Sequence, residues 1–191
     1  MDVSNHKNVE STNQYFFPLL PALKGSRSIL DIGSGITEPW RSCLEPKTDL
    51  YASLDIRQGT PLNPGMDTWF NAPIQPRPTY CLNLLHGTPF ADKQWEWGWC
   101  CEVLEHMSPE WQQAFVNEVS RICQNIVWTF PTSASERFYD DDGHNEVIID
   151  MSKRHNFNVL SSFSSTGRAI FIWSVKPLYW GTGHVPKYEK N

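Results

Sequence analysis

Long apolar runs are missing from this chain. None approaches the roughly 20 residues needed to cross a bilayer, which excludes a membrane-spanning helix and makes a membrane an unexpected partner. Residues 1–14 are polar, with no apolar stretch behind a basic start, so no secretion signal is expected there. Cysteine is sparse and unpatterned: Cys43, Cys81, Cys100, Cys101 and Cys123 form no C-x-x-C pair, and their odd number reads as reduced thiols in a cytoplasmic compartment. A basic excess is missing too. Lys and Arg number 16 against 21 Asp and Glu, the net charge is −5, and Lys153-Arg154 is the sole adjacent basic pair. This disfavours a sequence-independent grip on nucleic acid, which draws on clustered cations. There is neither an internal repeat nor a low-complexity block.

What is present is core material. Hydrophobic residues make up 40% of the 191 positions and aromatics 13%, enough for one domain burying about two-thirds of its unfolded surface. Ser28 to Ile32 reads as a buried strand stopped by Gly33-Ser34-Gly35. Thr37-Glu38-Pro39 reads as a helix start, and Leu50 to Ile56 as a second strand ending at Asp55. Residues 57–78 hold Pro61, Pro64, Pro73, Pro76 and Pro78, which predicts a loop with at most one turn near Met66 to Asn71. Further strands are expected at Thr79 to Leu85, Trp95 to Cys101 and Asn125 to Phe130. Ser108-Pro109-Glu110 caps a helix whose apolar stripe is Trp111, Phe115, Val119 and Ile122. A polar loop, Ser133 to Asn145, and a short helix around Val147 to His155 lead to strands Phe157 to Phe163 and Ala169 to Val175.

Strands alternating with helical or loop crossovers imply an α/β fold: a Rossmann-like, seven-stranded, mostly parallel sheet with helices on both faces. Residues 1–27 read as an N-terminal extension with a short helix, 28–175 as the domain, and 176–191 as a surface tail.

Ligands of such sheets sit beyond the carboxyl ends of the strands, where Gly33 and Gly35 let the backbone approach closely. A lone G-x-G also serves as a plain strand-to-helix turn. A dinucleotide fingerprint needs glycine at position 38, where this chain has Glu38, and a carboxylate there repels a pyrophosphate. NAD and FAD lose ground accordingly. Asp31 suits a cationic group, Asp55 suits two ribose hydroxyls, and the Asn83 amide suits an adenine edge. A ligand with an ammonium arm, a ribose and a base but no phosphate is outlined, and S-adenosylmethionine fits.

Ile29-Leu30-Asp31-Ile32-Gly33-Ser34-Gly35 resembles the first motif of class I S-adenosylmethionine-dependent methyltransferases. Thr88 to Glu96 looks like the segment before their fourth strand, Glu102-Val103-Leu104-Glu105-His106-Met107 like the phrase after it, and Asn125 to Pro131 like their fifth strand. The resemblance spans about Ser28 to Val175, with the motifs in order, and it implies a terminal antiparallel hairpin and a methyltransferase activity. The chain departs from the pattern at Thr37, where a third glycine is frequent, at Asn83, where an acid is frequent, and in the Pro-rich segment.

Glu102, Glu105 and His106 sit at offsets of three and four, so a helical turn would stack them on one face. With His144 they would make a mixed O/N site suited to Mg²⁺ or Mn²⁺. This set resembles the metal site of small-RNA 3′-terminal 2′-O-methyltransferases, and the Glu-x-x-Glu-His phrase is similar to that of ubiquinone-pathway O-methyltransferases. Many metal-free methyltransferases carry the same Leu-Glu-His phrase, and there His106 or His144 would serve as general base and Glu102 as a cofactor contact. Trp95, Trp97 and Trp99 share a strand face and read as packing, Cys100-Cys101 as core, and Asp140 to Asp142 as a solvated loop. The expected activity is methyl transfer to an O or N nucleophile of a small molecule. The alternatives are a metal-assisted RNA ribose 2′-O-methyltransferase and a silent cofactor-binding partner subunit.

Overall fold

The computed structural model describes residues 23–35, 38, 40–56, 66–67, 72–73, 78–131, 147–149, 157–163 and 168–174. The chain divides into two compact units, Met1–Asn83 and Leu84–Asn191.

In the first unit, β1 (Ile29–Ile32) is buried at every position: Ile29, Leu30 and Ile32 suit a strand covered on both faces, and Asp31 is buried among them. After it come the short helix α1 (Arg41–Leu44) and a 3-10 turn, Glu45–Lys47, in which proline at position 46 supplies no N–H to continue an α-helix. The strand β2 (Tyr51–Asp55) pairs parallel to β1, with Asp31 opposite Ser53. The expected helix start at Thr37 and Pro39 lies outside the described residues.

The Pro-rich stretch differs from its expectation. Met66–Asp67 (β3) and Ala72–Pro73 (β4) pair as a two-stranded antiparallel ribbon flanking the expected turn. The third strand of the sheet is also shorter than expected: β5 covers Tyr80–Cys81 and pairs parallel to β2, and Leu84–His86 forms a 3-10 turn. Side chains explain the loss of Thr79 at the amino end. Thr79 Oγ1 accepts from the Ser53 N–H at 3.1 Å, and Ser53 Oγ accepts from the Thr79 N–H at 2.8 Å, replacing ladder bonds at that end. At the carboxyl end the chain runs on into the Leu84–His86 turn, and Asn83 lies beyond the strand, not on it.

In the second unit, β6 (Trp95–Cys101) matches its expected bounds, and Trp95, Trp97 and Trp99 are all buried. Its Trp95 ring meets the Phe90 ring edge-on at 5.7 Å. The helix α2 (Pro109–Ile122) starts with proline in its first turn and carries the chain to β7 (Cys123–Pro131), which lies parallel to β6. Antiparallel pairing follows: β8 (Phe157–Phe163) pairs with β9 (Arg168–Ser174), and β9 with β7, in the order β6-β7-β9-β8. Of the expected helix around Val147 to His155, residues 147–149 are described and have no regular structure.

The stripe of α2 is rotated from its expectation. Gln112, Phe115, Val116, Val119 and Ile122 are buried, while Trp111 is 45% exposed. Positions 112, 115, 116, 119 and 122 fall on one helical face about 120° wide, and Trp111 lies just past its edge, about 75° from its centre. A buried glutamine is tolerable because its amide is bonded. Its Nε2 donates to the Leu104 and Met107 carbonyls, and its Oε1 accepts from the Ile148 N–H at 3.0 Å. Gln112→Leu keeps the volume but leaves these backbone groups without that partner. A loss of about 1–3 kcal/mol in urea unfolding is expected. An unchanged midpoint and slope would show that the bonds contribute nothing net.

No described helix is long and apolar enough to cross a membrane. The five cysteines are free thiols.

Candidate functional site

The carboxyl ends of β1 and β2 carry the first group of residues. Beyond β1 the chain turns through Gly33 (φ +69°) and Gly35 (φ +66°), conformations that residues with a Cβ rarely adopt. The N–H groups of Gly33 and Ser34 both donate to the Leu54 carbonyl, at 2.8 and 3.1 Å. The Gly35 N–H donates to Asp55 Oδ2 at 2.8 Å. The glycine loop is thus folded back onto the end of β2, and Asp55, buried at that end, holds it.

Asp31 is buried on β1 and accepts a hydrogen bond from the Tyr51 hydroxyl at 2.9 Å. Burial pushes its carboxyl up to about 7; the Tyr51 bond offsets part of this, and the charges of Glu38 and Asp55 add to it. Burial, the charge and hydrogen bond of Asp31 and the charge of Glu38 push Tyr51 well above its usual range, so its hydroxyl keeps its proton and donates. Glu38 is also buried, with φ +46°, and its Oε2 accepts from Arg41 Nη1 at 2.8 Å. Arg41 in turn holds Glu45 and stacks over the Tyr51 ring, 5.5 Å from its centroid. Asn83, half-buried, follows β5.

The second group belongs to the other unit. Glu102 follows β6 with φ +54°, a left-handed conformation unusual for glutamate. It is fixed from two sides by Thr129: its N–H donates to the Thr129 carbonyl at 3.0 Å, and its Oε1 accepts from Thr129 Oγ1 at 2.9 Å. Thr129 Oγ1 also lies 3.1 Å from Cys101 Sγ. Leu104–His106 forms a 3-10 turn rather than an α-turn, so Glu105 and His106 part company: Glu105 is 1% exposed and His106 is exposed. The expected common face for Glu102, Glu105 and His106 is not formed. Among the described residues no three His, Cys, Asp or Glu side chains gather as metal ligands. His144 lies outside the described residues.

Tyr51, Arg41 and Thr129 are absent from the sequence expectations, and Glu38 enters there solely as an obstacle to phosphate. A signal existed for two of them. Strand alternation puts Tyr51 on the face of Ser53 and Asp55, hence of Asp31, and Arg41 stands three residues after Glu38 and four before Glu45.

The architecture is that of solved S-adenosylmethionine-dependent methyltransferases. One from Archaeoglobus fulgidus superposes with a TM-score of 0.60 at 15% identity, covering 86% of this chain and 93% of that one. The magnesium protoporphyrin IX methyltransferase of Synechocystis, with bound S-adenosylhomocysteine, gives 0.53 at 15% identity over 88% and 82%. A small RNA methyltransferase gives 0.53 at 17% identity, covering 84% of this chain and 25% of that one. No protein-family model and no curated protein matches the sequence. The chain therefore has the α/β, Rossmann-like class I methyltransferase fold.

Proposed function

We propose that the protein is a methyltransferase that moves the methyl group of S-adenosylmethionine to an O or N nucleophile of a small molecule. The observation that carries this reading is the bond from Gly35 N–H to Asp55 Oδ2. It ties the glycine loop to a strand-end carboxylate, beside the buried Asp31. Bound there, the cofactor supplies an electrophilic methyl on a sulfonium. Asp55 would receive the ribose, Asp31 the ammonium arm, and Asn83 the adenine edge. Glu102 and His106 would serve the acceptor. The acceptor lone pair would take that methyl in line, and the C–S pair would stay on sulfur as a neutral thioether. The acceptor proton passes to a nearby base or water. Alignment of acceptor and sulfonium would contribute most of the rate.

A small acceptor agrees with the net charge of −5. The RNA ribose 2′-hydroxyl is the second reading, favoured by the likeness to a small RNA methyltransferase. The burial of Glu105 weighs against metal assistance in that reading. Free thiols agree with a reducing, cytoplasmic location.

The test is calorimetry followed by turnover with labelled cofactor on small-molecule and RNA pools, with and without Mg²⁺ or Mn²⁺. S-adenosylmethionine and S-adenosylhomocysteine should bind and NAD should not, and Asp55→Ala should weaken binding at least about tenfold. Metal-independent transfer to small molecules is the expected result. Metal-dependent RNA turnover would replace the first reading with the second. Binding without turnover on any pool would mean a silent partner subunit, and no binding would remove the cofactor reading.

A further inference from the structure

Glu38 is a buried carboxylate of the first unit whose burial the proposed cofactor contacts leave unexplained. It is 1% exposed, its backbone is held at φ +46°, and one carboxylate oxygen, Oε2, is bonded to Arg41. The other, Oε1, is buried with no hydrogen-bond partner. A buried carboxylate oxygen with no donor is costly, and native structures keep one where something else supplies the donor. Glu38 lies near enough to Asp31 for its charge to act on it, and Asp55 adds a third carboxylate. Among the described residues the cation reaching this cluster is Arg41, whose guanidinium is committed to Glu38 Oε2 and to Glu45. The cluster therefore has an excess of negative charge, one acceptor atom pointing nowhere, and tyrosine and arginine props behind both carboxylates.

A primary ammonium fits this arrangement. It brings one positive charge and three N–H donors on a tetrahedral centre, so it can engage two carboxylates from different chain segments at once. A phosphate or carboxylate ligand would be repelled. We propose that Glu38 is a second ammonium-binding carboxylate beside Asp31, and that the two clasp the amino group of the cofactor's amino-acid arm between them. This rests on the S-adenosylmethionine reading above and extends it to a residue outside the glycine motif. Arg41 and Tyr51 are positioning residues: the guanidinium fixes Glu38 through Oε2, leaving Oε1 for the ligand, and the Tyr51 hydroxyl fixes Asp31. The φ of +46° at Glu38 is the local backbone strain that brings its side chain inward.

Two ligands separate this proposal from the reading beneath it. S-adenosylhomocysteine carries the ammonium, whereas 5′-methylthioadenosine has the same nucleoside and sulfur without the amino-acid arm. Calorimetry with both, on the wild type and on Glu38→Gln, gives four affinities. Glu38→Gln keeps shape and an acceptor oxygen but removes the charge. Roughly tenfold or greater weakening toward S-adenosylhomocysteine is expected, with 5′-methylthioadenosine changed less than about twofold. The second ligand also reports that the variant is folded. Equal weakening toward both ligands would make Glu38 a structural residue and overturn the proposal, as would equal S-adenosylhomocysteine affinity in the two proteins. If the wild type binds neither ligand, the cofactor reading itself fails, and the clasp with it.

Discussion

Asp31→Asn should give a protein that is more stable than its parent at pH 8 and that no longer holds S-adenosylmethionine tightly. Burial raises the Asp31 carboxyl to about 7, above the ordinary aspartate value near 3.9. A raised carboxyl favours the protonated folded state. Its stabilising contribution is complete below about pH 4 and is lost as the pH rises through about 7. Above that pH, the ionised side chain costs the ligand-free protein on the order of 4 kcal/mol relative to acid conditions. Asparagine keeps the size and still accepts from Tyr51, but it never ionises. The wild type should therefore melt at falling temperature between pH 5 and pH 8, against the usual trend for paired carboxylates, while the variant should show no such slope from this site. At pH 8 the gap should be roughly 10 °C, given about 2–4 °C per kcal/mol for a chain of this size. Saturating S-adenosylmethionine should flatten the wild-type slope, because its ammonium pairs with the ionised form, and should do nothing comparable for the variant. Identical pH slopes in the two proteins would show that Asp31 is not the titrating group. A variant that binds the cofactor as tightly as the wild type would remove Asp31 from the site.

Such an exchange of stability for binding is the kind of local inconsistency that marks functional residues. It also separates what the sequence carried from what it did not. Strands β1, β2, β6, β7, β8 and β9 were legible because each is an apolar or β-branched run between turn residues. Helix α2 was legible from Ser108-Pro109 and the 3.6-residue period. The errors came where side chains compete with the backbone. Ser53 and Thr79 exchange hydroxyl bonds and take Thr79 out of β5, and the Leu84–His86 turn ends it early. Gln112 satisfies itself on the turn before α2 and takes a core position from Trp111. Neither effect follows from hydrophobic periodicity. The Glu102, Glu105 and His106 offsets were read on α-helical geometry, whereas the segment is a 3-10 turn entered through a left-handed residue, so the same spacing points the side chains apart. The Asp31, Gly33, Gly35 and Asp55 spacing needed no such detail, because strand ends fix it. Glu38 and Arg41 depend on tertiary proximity, and a sequence shows their spacing but not their burial.

Glu102 should be the residue whose loss separates chemistry from cofactor binding. Its left-handed backbone costs about 1–3 kcal/mol, and Thr129 holds both its N–H and its carboxylate in place. Strain of this kind persists where the surrounding structure over-determines it, and here the reward is a carboxylate fixed at the end of β6. Acting on the acceptor, it would orient the nucleophile or take its proton, a contribution typically worth 10²–10⁴ in rate. Glu102→Gln should thus lower kcat about a hundredfold on the acceptor identified by the labelled-cofactor screen. Its affinity for S-adenosylhomocysteine should stay within about threefold of the wild type, a change under 1 kcal/mol. Glu102→Gly should lose activity to a similar extent but unfold at higher urea, because glycine accepts the left-handed backbone without a Cβ penalty. Thr129→Val removes the hydroxyl while keeping the shape, leaving Glu102 present but unheld, and kcat should fall about tenfold with the cofactor affinity unchanged. A KM for S-adenosylmethionine that rises in all three variants while kcat holds would move Glu102 from the acceptor to the cofactor. A Glu102→Gly protein that is less stable than the wild type would mean that the Thr129 bonds outweigh the strain they impose.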